Sequence, residues 1–126
     1  MVGIIPAAGQ PTDYGMPWSD CMVPIAQNYL AIERAVYECA LVGCDTIWIV
    51  CDERNIPLMR ERLGDYAVDP MYATGRKGFL PSVAAIYYVP MDARHRNRRD
   101  SVSWCVLRGV EVSREISSIL TQYITP

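Results

Sequence analysis

Two stretches of this chain carry residue types whose spacing could do chemistry. The first is Ala7-Ala8-Gly9-Gln10, which follows the short apolar run Val2–Pro6. Residues without bulk at the end of a strand let a flat base or a phosphate come close to backbone N–H groups, and they also permit tight strand-to-loop packing. The second is Arg94-His95-Arg96-Asn97-Arg98-Arg99, with four arginines in six residues. Guanidinium groups donate in a planar fork that matches phosphate oxygens. These arginines also precede a helical pattern whose N-terminus would attract anions. Arg96, Arg98 and Arg99 are therefore candidate phosphate partners. A solvated loop balanced by Asp92 and Asp100 is the plainer account.

Other residues invite a chemical reading and a bland one. Asp13 and Asp20 carry the hard oxygen donors that Mg²⁺ prefers, or they are solvated loop acids. Cys21, Cys39, Cys44, Cys51 and Cys105 form no CxxC pair and lack the short paired spacing of a zinc site. They read as reduced, small buried hydrophobes. His95 is the single histidine, and nothing pairs it with a nucleophile. Trp18 lies in a polar, proline-containing loop, where it could stack on a base or mark an interface. Trp48 reads as core. Tyr87 and Tyr88 must point to opposite faces if they share a strand.

The elements that would position these groups follow from periodicity and punctuation. Val2–Pro6 is short and β-branched, as a buried parallel strand is. Gln10 to Pro24 reads as a loop punctuated by Pro11, Gly15, Pro17 and Pro24. A helix follows, with Asn28 as N-cap, with Tyr29, Ile32, Val36, Cys39 and Ala40 at helical spacing, and with Gly43 closing its end. Thr46–Cys51 is the clearest strand, apolar on both faces. A second helix covers Pro57–Leu63, between Asn55 and Gly64. Tyr66-Ala67-Val68 is a short strand, 71–79 is a loop, and Val83–Val89 is another strand. Asp100 or Ser101 caps a last helix, in which Val102, Cys105, Val106, Gly109, Val112, Ile116 and Ile119 keep a 3–4 spacing to an end near Leu120. Strands alternating with helices predict an α/β fold, a mostly parallel sheet flanked by helices on both faces.

Composition narrows the classes. The chain has 126 residues, 51% of them hydrophobic and 21% charged, which suits one globular domain over residues 1–126. The longest apolar run is too short to cross a bilayer, and the first residues lack the pattern of a signal peptide. The expectation is a cytoplasmic protein with no membrane partner. A net charge of −2 argues against a general nucleic-acid binder, although eleven of the twelve basic residues are arginines. A mean hydropathy of +0.05 is high for a small domain and suggests a second copy or a partner chain.

Gly3-Ile4-Ile5-Pro6-Ala7-Ala8-Gly9 resembles the opening of the sugar-1-phosphate nucleotidyltransferases. These enzymes join a nucleoside triphosphate to a sugar phosphate and release pyrophosphate, using Mg²⁺. Met22-Val23-Pro24-Ile25 is similar to a later element of that pattern. Asp100-Ser101-Val102-Ser103-Trp104 resembles the segment where a small-residue turn opens a helix beside the base. The resemblance implies a three-layer, Rossmann-like half-fold. It also implies nucleotide contacts at Ala7, Ala8, Gly9, Gln10 and Ser101 and Mg²⁺ as cofactor, while Arg96, Arg98 and Arg99 are the best remaining phosphate partners.

The chain departs from that family in three places. The phosphate loop, Gln10-Pro11-Thr12-Asp13-Tyr14-Gly15, lacks the family's arginine. Asp20 stands near the family's lysine. The strand that carries the family's metal-binding aspartate would follow the last helix, beyond this sequence. Two unit charges ~4 Å apart interact by roughly 4 kcal/mol at an effective dielectric near 20, so reversing the sign at Asp20 matters. The expectation is a nucleotidyltransferase-like domain that binds a nucleoside triphosphate and is weak or inactive alone. The alternatives are a non-catalytic nucleotide-binding module and a structural or interaction protein, such as a viral or assembly component, that keeps only the fold.

Overall fold

A computed structural model of the chain describes residues 1–8, 20–68, 83–91 and 101–124. The chain begins with β1 (Val2–Pro6). A 3-10 turn at Asp20–Met22 is followed by β2 (Pro24–Ala26), β3 (Tyr29–Leu30) and α1 (Ala31–Val42). Then come β4 (Thr46–Cys51), a second 3-10 turn at Glu53–Asn55, α2 (Ile56–Leu63), β5 (Tyr66–Val68), β6 (Val83–Pro90) and α3 (Ser101–Ile124). The main sheet has four strands in the order β1-β4-β6-β5. Its first three strands are parallel: Val2 lies beside Thr46, and Thr46 beside Ala85. The short β5 closes the sheet antiparallel to β6, with Tyr66 opposite Ala85. The expected mostly parallel α/β arrangement is present.

β4 is the axis of the core because its side chains are apolar in both directions. Ile47, Ile49 and Cys51, with 0% exposure, pack with Ile32 and Val36 of α1 and Met59 of α2. The alternate residues Trp48 and Val50 pack with Cys105 of α3. A strand covered on both faces needs this continuous apolar run, whereas a strand with one wet face would alternate. Tyr87 joins the α3 side and Tyr88 the α1 side, as their adjacency predicts.

Two readings of local structure are corrected. Asn28 is not the N-cap of α1. It sits at φ 56° in the turn between β2 and β3, and the helix starts at Ala31 behind Leu30, with no side-chain cap. Tyr29 accordingly belongs to a strand. Asn is one of the few side chains that tolerate this left-handed region, so the same residue serves the turn. Of the stretch up to Pro24 that the sequence pattern reads as a loop, the described part holds the 3-10 turn and leads into the two-stranded β2–β3 ribbon. Three residues of β2 are too short for periodicity to register. α1 ends as expected at Gly43, with φ 96° and its N–H on the Ala40 carbonyl. α3 runs four residues past the expected end, to Ile124. Among the described residues no helix is long and apolar enough to cross a membrane.

Candidate functional site

Parallel strands direct their carboxyl ends to one edge of the sheet, where open α/β folds place ligands. Here that edge gathers Ala7 and Ala8 after β1, Asp52 after β4, Met91 after β6 and the start of α3. Three contacts hold it together. The Ala7 N–H donates to the Val50 carbonyl at 2.7 Å, and the Met91 N–H donates to the Cys51 carbonyl at 2.9 Å. The Ala8 backbone hydrogen-bonds the Cys105 thiol, which partly offsets the rise that burial imposes on that thiol's pKa. Ser101, at the N-terminus of the 24-residue α3, therefore lies on the same side of the sheet as the end of β1. The first N–H groups of a helix have no intrahelical partner and carry its positive dipole end.

Ala7 and Ala8 are packed into the fold at the end of β1. Both are buried, at 6% exposure, and the Ala7 amide and the Ala8 backbone are engaged within the fold. Ala7 packs in the cluster on the α1 face of the sheet and Ala8 in the cluster on the α3 face. Gly9, Gln10, Asp13, Trp18, His95, Arg96, Arg98 and Arg99 lie outside the described residues, as do the side chains of Asp20 and Ser101.

The donor set for Mg²⁺ does not assemble among the described residues. No group of three His, Cys, Asp or Glu side chains comes together there. Asp52 stands at the carboxyl edge, but its carboxylate accepts from the Arg54 backbone at 3.1 Å and from the Arg54 guanidinium at 2.8 Å. It caps a turn. The cysteines are free thiols. Cys44, Cys51 and Cys105 are buried as expected, and burial pushes Cys51 up to about 12. A thiol so placed is neither a nucleophile nor a ready metal ligand.

A second concavity escaped the sequence reading. A groove of about 430 Å³ follows β6 where β5 no longer covers it. Arg60 and Asp65 line one flank and Arg108, Val112 and Ile116 the other. Tyr87 stacks on Trp48 with ring centroids 4.3 Å apart and planes 18° from parallel. The Trp48 indole N–H is satisfied by the Thr46 hydroxyl at 3.0 Å. Arg60 lies 3.6 Å from Asp65 and 5.1 Å from the centre of the Tyr88 ring. The Tyr88 hydroxyl donates to the Gly64 carbonyl at 2.7 Å, and burial raises its pKa to about 12. Arg60 and Arg108 are 48 positions apart and belong to different helices, so no motif joins them.

No protein-family model, curated protein or solved structure matches the chain.

Proposed function

We propose that the chain is a nucleotidyltransferase-like, Rossmann-like α/β domain that binds a nucleoside triphosphate without catalysing transfer by itself. The observation that carries this reading is the meeting of the β1 end with the start of α3 at the carboxyl edge of the parallel sheet. Ala8 and Cys105 are the residues in contact there. A helix N-terminus favours phosphate through its orphan N–H groups and its dipole. In sequence, Arg96, Arg98 and Arg99 immediately precede that helix and are the proposed phosphate partners. The Gly3–Gly9 resemblance supports a nucleotide as the ligand. In this reading Gly9, Gln10 and Ser101 contact the nucleotide, and Ala7 and Ala8 shape the floor. The chain's own residues hold and orient, and no transfer step is assigned to them.

Thermal unfolding with each common nucleoside triphosphate, with and without Mg²⁺, tests the proposal. A ligand at 100 times its Kd stabilises the fold by ~2.7 kcal/mol, which for a domain of this size is roughly 3–8 °C. The expected result is such a shift with one nucleotide, lost in Arg98→Ala/Arg99→Ala. Pyrophosphate release by the chain alone is expected to stay at background. No shift with any nucleotide overturns the reading in favour of a structural or interaction role. A second copy or a partner chain belongs to the same proposal. It is supported by Met1, Val2 and Val42, which are exposed on and beside β1, a strand that pairs with β4 alone among the described strands.

A further inference from the structure

We infer that the groove along β6, on the β5 side of the sheet, is a binding site for a small organic anion that carries a flat ring, distinct from the meeting of β1 and α3 at Ala8 and Cys105. The register shows why the groove exists. Among the described residues β5 pairs with β6 only from Val83 to Ala85, and the last backbone bond across that edge runs from the Ile86 N–H to the Asp65 carbonyl at 2.8 Å. From Tyr87 to Pro90 the strand edge faces the groove, between α2 and α3. Its volume of about 430 Å³ falls within the span of roughly 300–1,000 Å³ that small-molecule sites occupy.

The charge of the site comes from Arg108. Its Nε is buried and has no hydrogen-bond partner among the described residues. A buried donor left unpaired is costly and rare, and a guanidinium donor doubly so, because it can shed neither its charge nor its hydrogens. An acceptor with two coplanar oxygens would match its fork. On the opposite flank Arg60 neutralises Asp65. Among the described lining residues, two guanidinium groups against one carboxylate leave the groove positive, which selects an anion. Tyr66 and Tyr87 line the groove, and the half-buried Tyr87, backed by its stack on the buried Trp48, gives a ring a flat surface to lie along. Carboxylate and phosphate share the required chemistry.

The test is a ¹H–¹⁵N NMR titration of the full chain, covering backbone amides and arginine Nε–H groups. The probes are benzoate, phenyl phosphate and uncharged benzamide. At least one anion is expected to shift the amides of Tyr87, Tyr88 and Val89 and the Nε–H of Arg108 saturably. Benzamide is expected to bind about tenfold or more weakly, since it lacks the charge-assisted pair. Whichever anion binds more tightly identifies the headgroup. Arg108→Met should abolish the difference between anion and amide. Should that variant not fold, Arg108→Lys keeps the charge, removes the fork and is expected to weaken the anion by the same order. No saturable shift with either anion, equal binding of benzamide, or shifts unchanged in the Arg108 variant would overturn the proposal. None of these results bears on the nucleotide reading, which Arg98→Ala/Arg99→Ala probes at residues that precede α3 in the sequence.

Discussion

Gly109 of α3 approaches Ile4 of β1 so closely that a Cβ at Gly109 would stand 2.7 Å from Ile4 Cγ2 and 3.2 Å from Val50 Cγ2. The long helix can lie this near the sheet only because that position has no side chain. The Ala8–Cys105 contact at the carboxyl edge lies one helical turn away on the same face of α3.

Gly109→Ala should therefore destabilise the fold. In an open helix the change would gain about 1 kcal/mol of propensity, but overpacking of this kind costs about 1–3 kcal/mol. The second effect is expected to win, because both neighbours belong to strands packed into the sheet. Adding Ile4→Ala opens the space that the new methyl needs. A double-mutant cycle by thermal unfolding should show the Gly109→Ala penalty shrinking in the Ile4→Ala background. A purely additive cycle would mean that α3 packs elsewhere.

Asn28→Gly should be tolerated and Asn28→Val should not. A β-branched residue at φ 56° costs roughly 1–2 kcal/mol. An N-cap role for Asn28, the expectation from sequence, predicts instead that Asn28→Thr is tolerated, because threonine also caps helices, whereas at φ 56° its β-branch costs as much as that of valine. Urea unfolding of these variants separates the two accounts.

Stability should fall at alkaline pH. Burial raises the folded-state pKa of Tyr88 from 10.0 to about 12 and that of Cys51 from 9.0 to about 12. Each group holds its proton more tightly when folded, so its contribution is complete below the unfolded pKa and is lost as pH rises through the folded one. Urea midpoints should decline between about pH 9 and pH 12. In Tyr88→Phe the decline above pH 10 should be shallower, on top of the loss of the hydroxyl's bond to Gly64. An unchanged slope would place Tyr88 in water.

The thiols should sort by burial under native alkylation. With iodoacetamide at pH 8, half-buried Cys21 and Cys39 are expected to react before buried Cys44, Cys51 and Cys105. Cys51 should be last, because only the thiolate attacks and burial pushes this thiol's pKa up to about 12. Peptide mass spectrometry at timed quenches reads the order.

Much of the frame was legible in local pattern. Thr46–Cys51 could only be a strand covered on both sides, and Gly43 could end α1, because period and backbone freedom are properties of neighbouring residues. The antiparallel seating of β5, by contrast, has no local signature. Three residues pair equally well either way, and their direction is decided by the path from α2. Asn28 misled for a related reason, since asparagine suits both a helix cap and a left-handed turn, and only the β2–β3 pairing chooses between them.

The candidate sites divide along the same line. Ala7-Ala8-Gly9 was visible because small residues after an apolar strand are contiguous. That the Ala7 amide and the Ala8 backbone are taken by Val50 and Cys105 depends on strands and helices 40 to 100 residues away. The groove at β6 left no trace in the sequence at all. Arg60, Asp65, Tyr87 and Arg108 are scattered single residues until β5 stops short and α3 crosses the sheet. The sequence by itself determined the four strands of the main sheet and the three helices, though not the β2–β3 ribbon, because those choices are made between near neighbours. The tertiary structure alone decided which polar groups remain for a ligand, because that depends on what every distant partner has already satisfied.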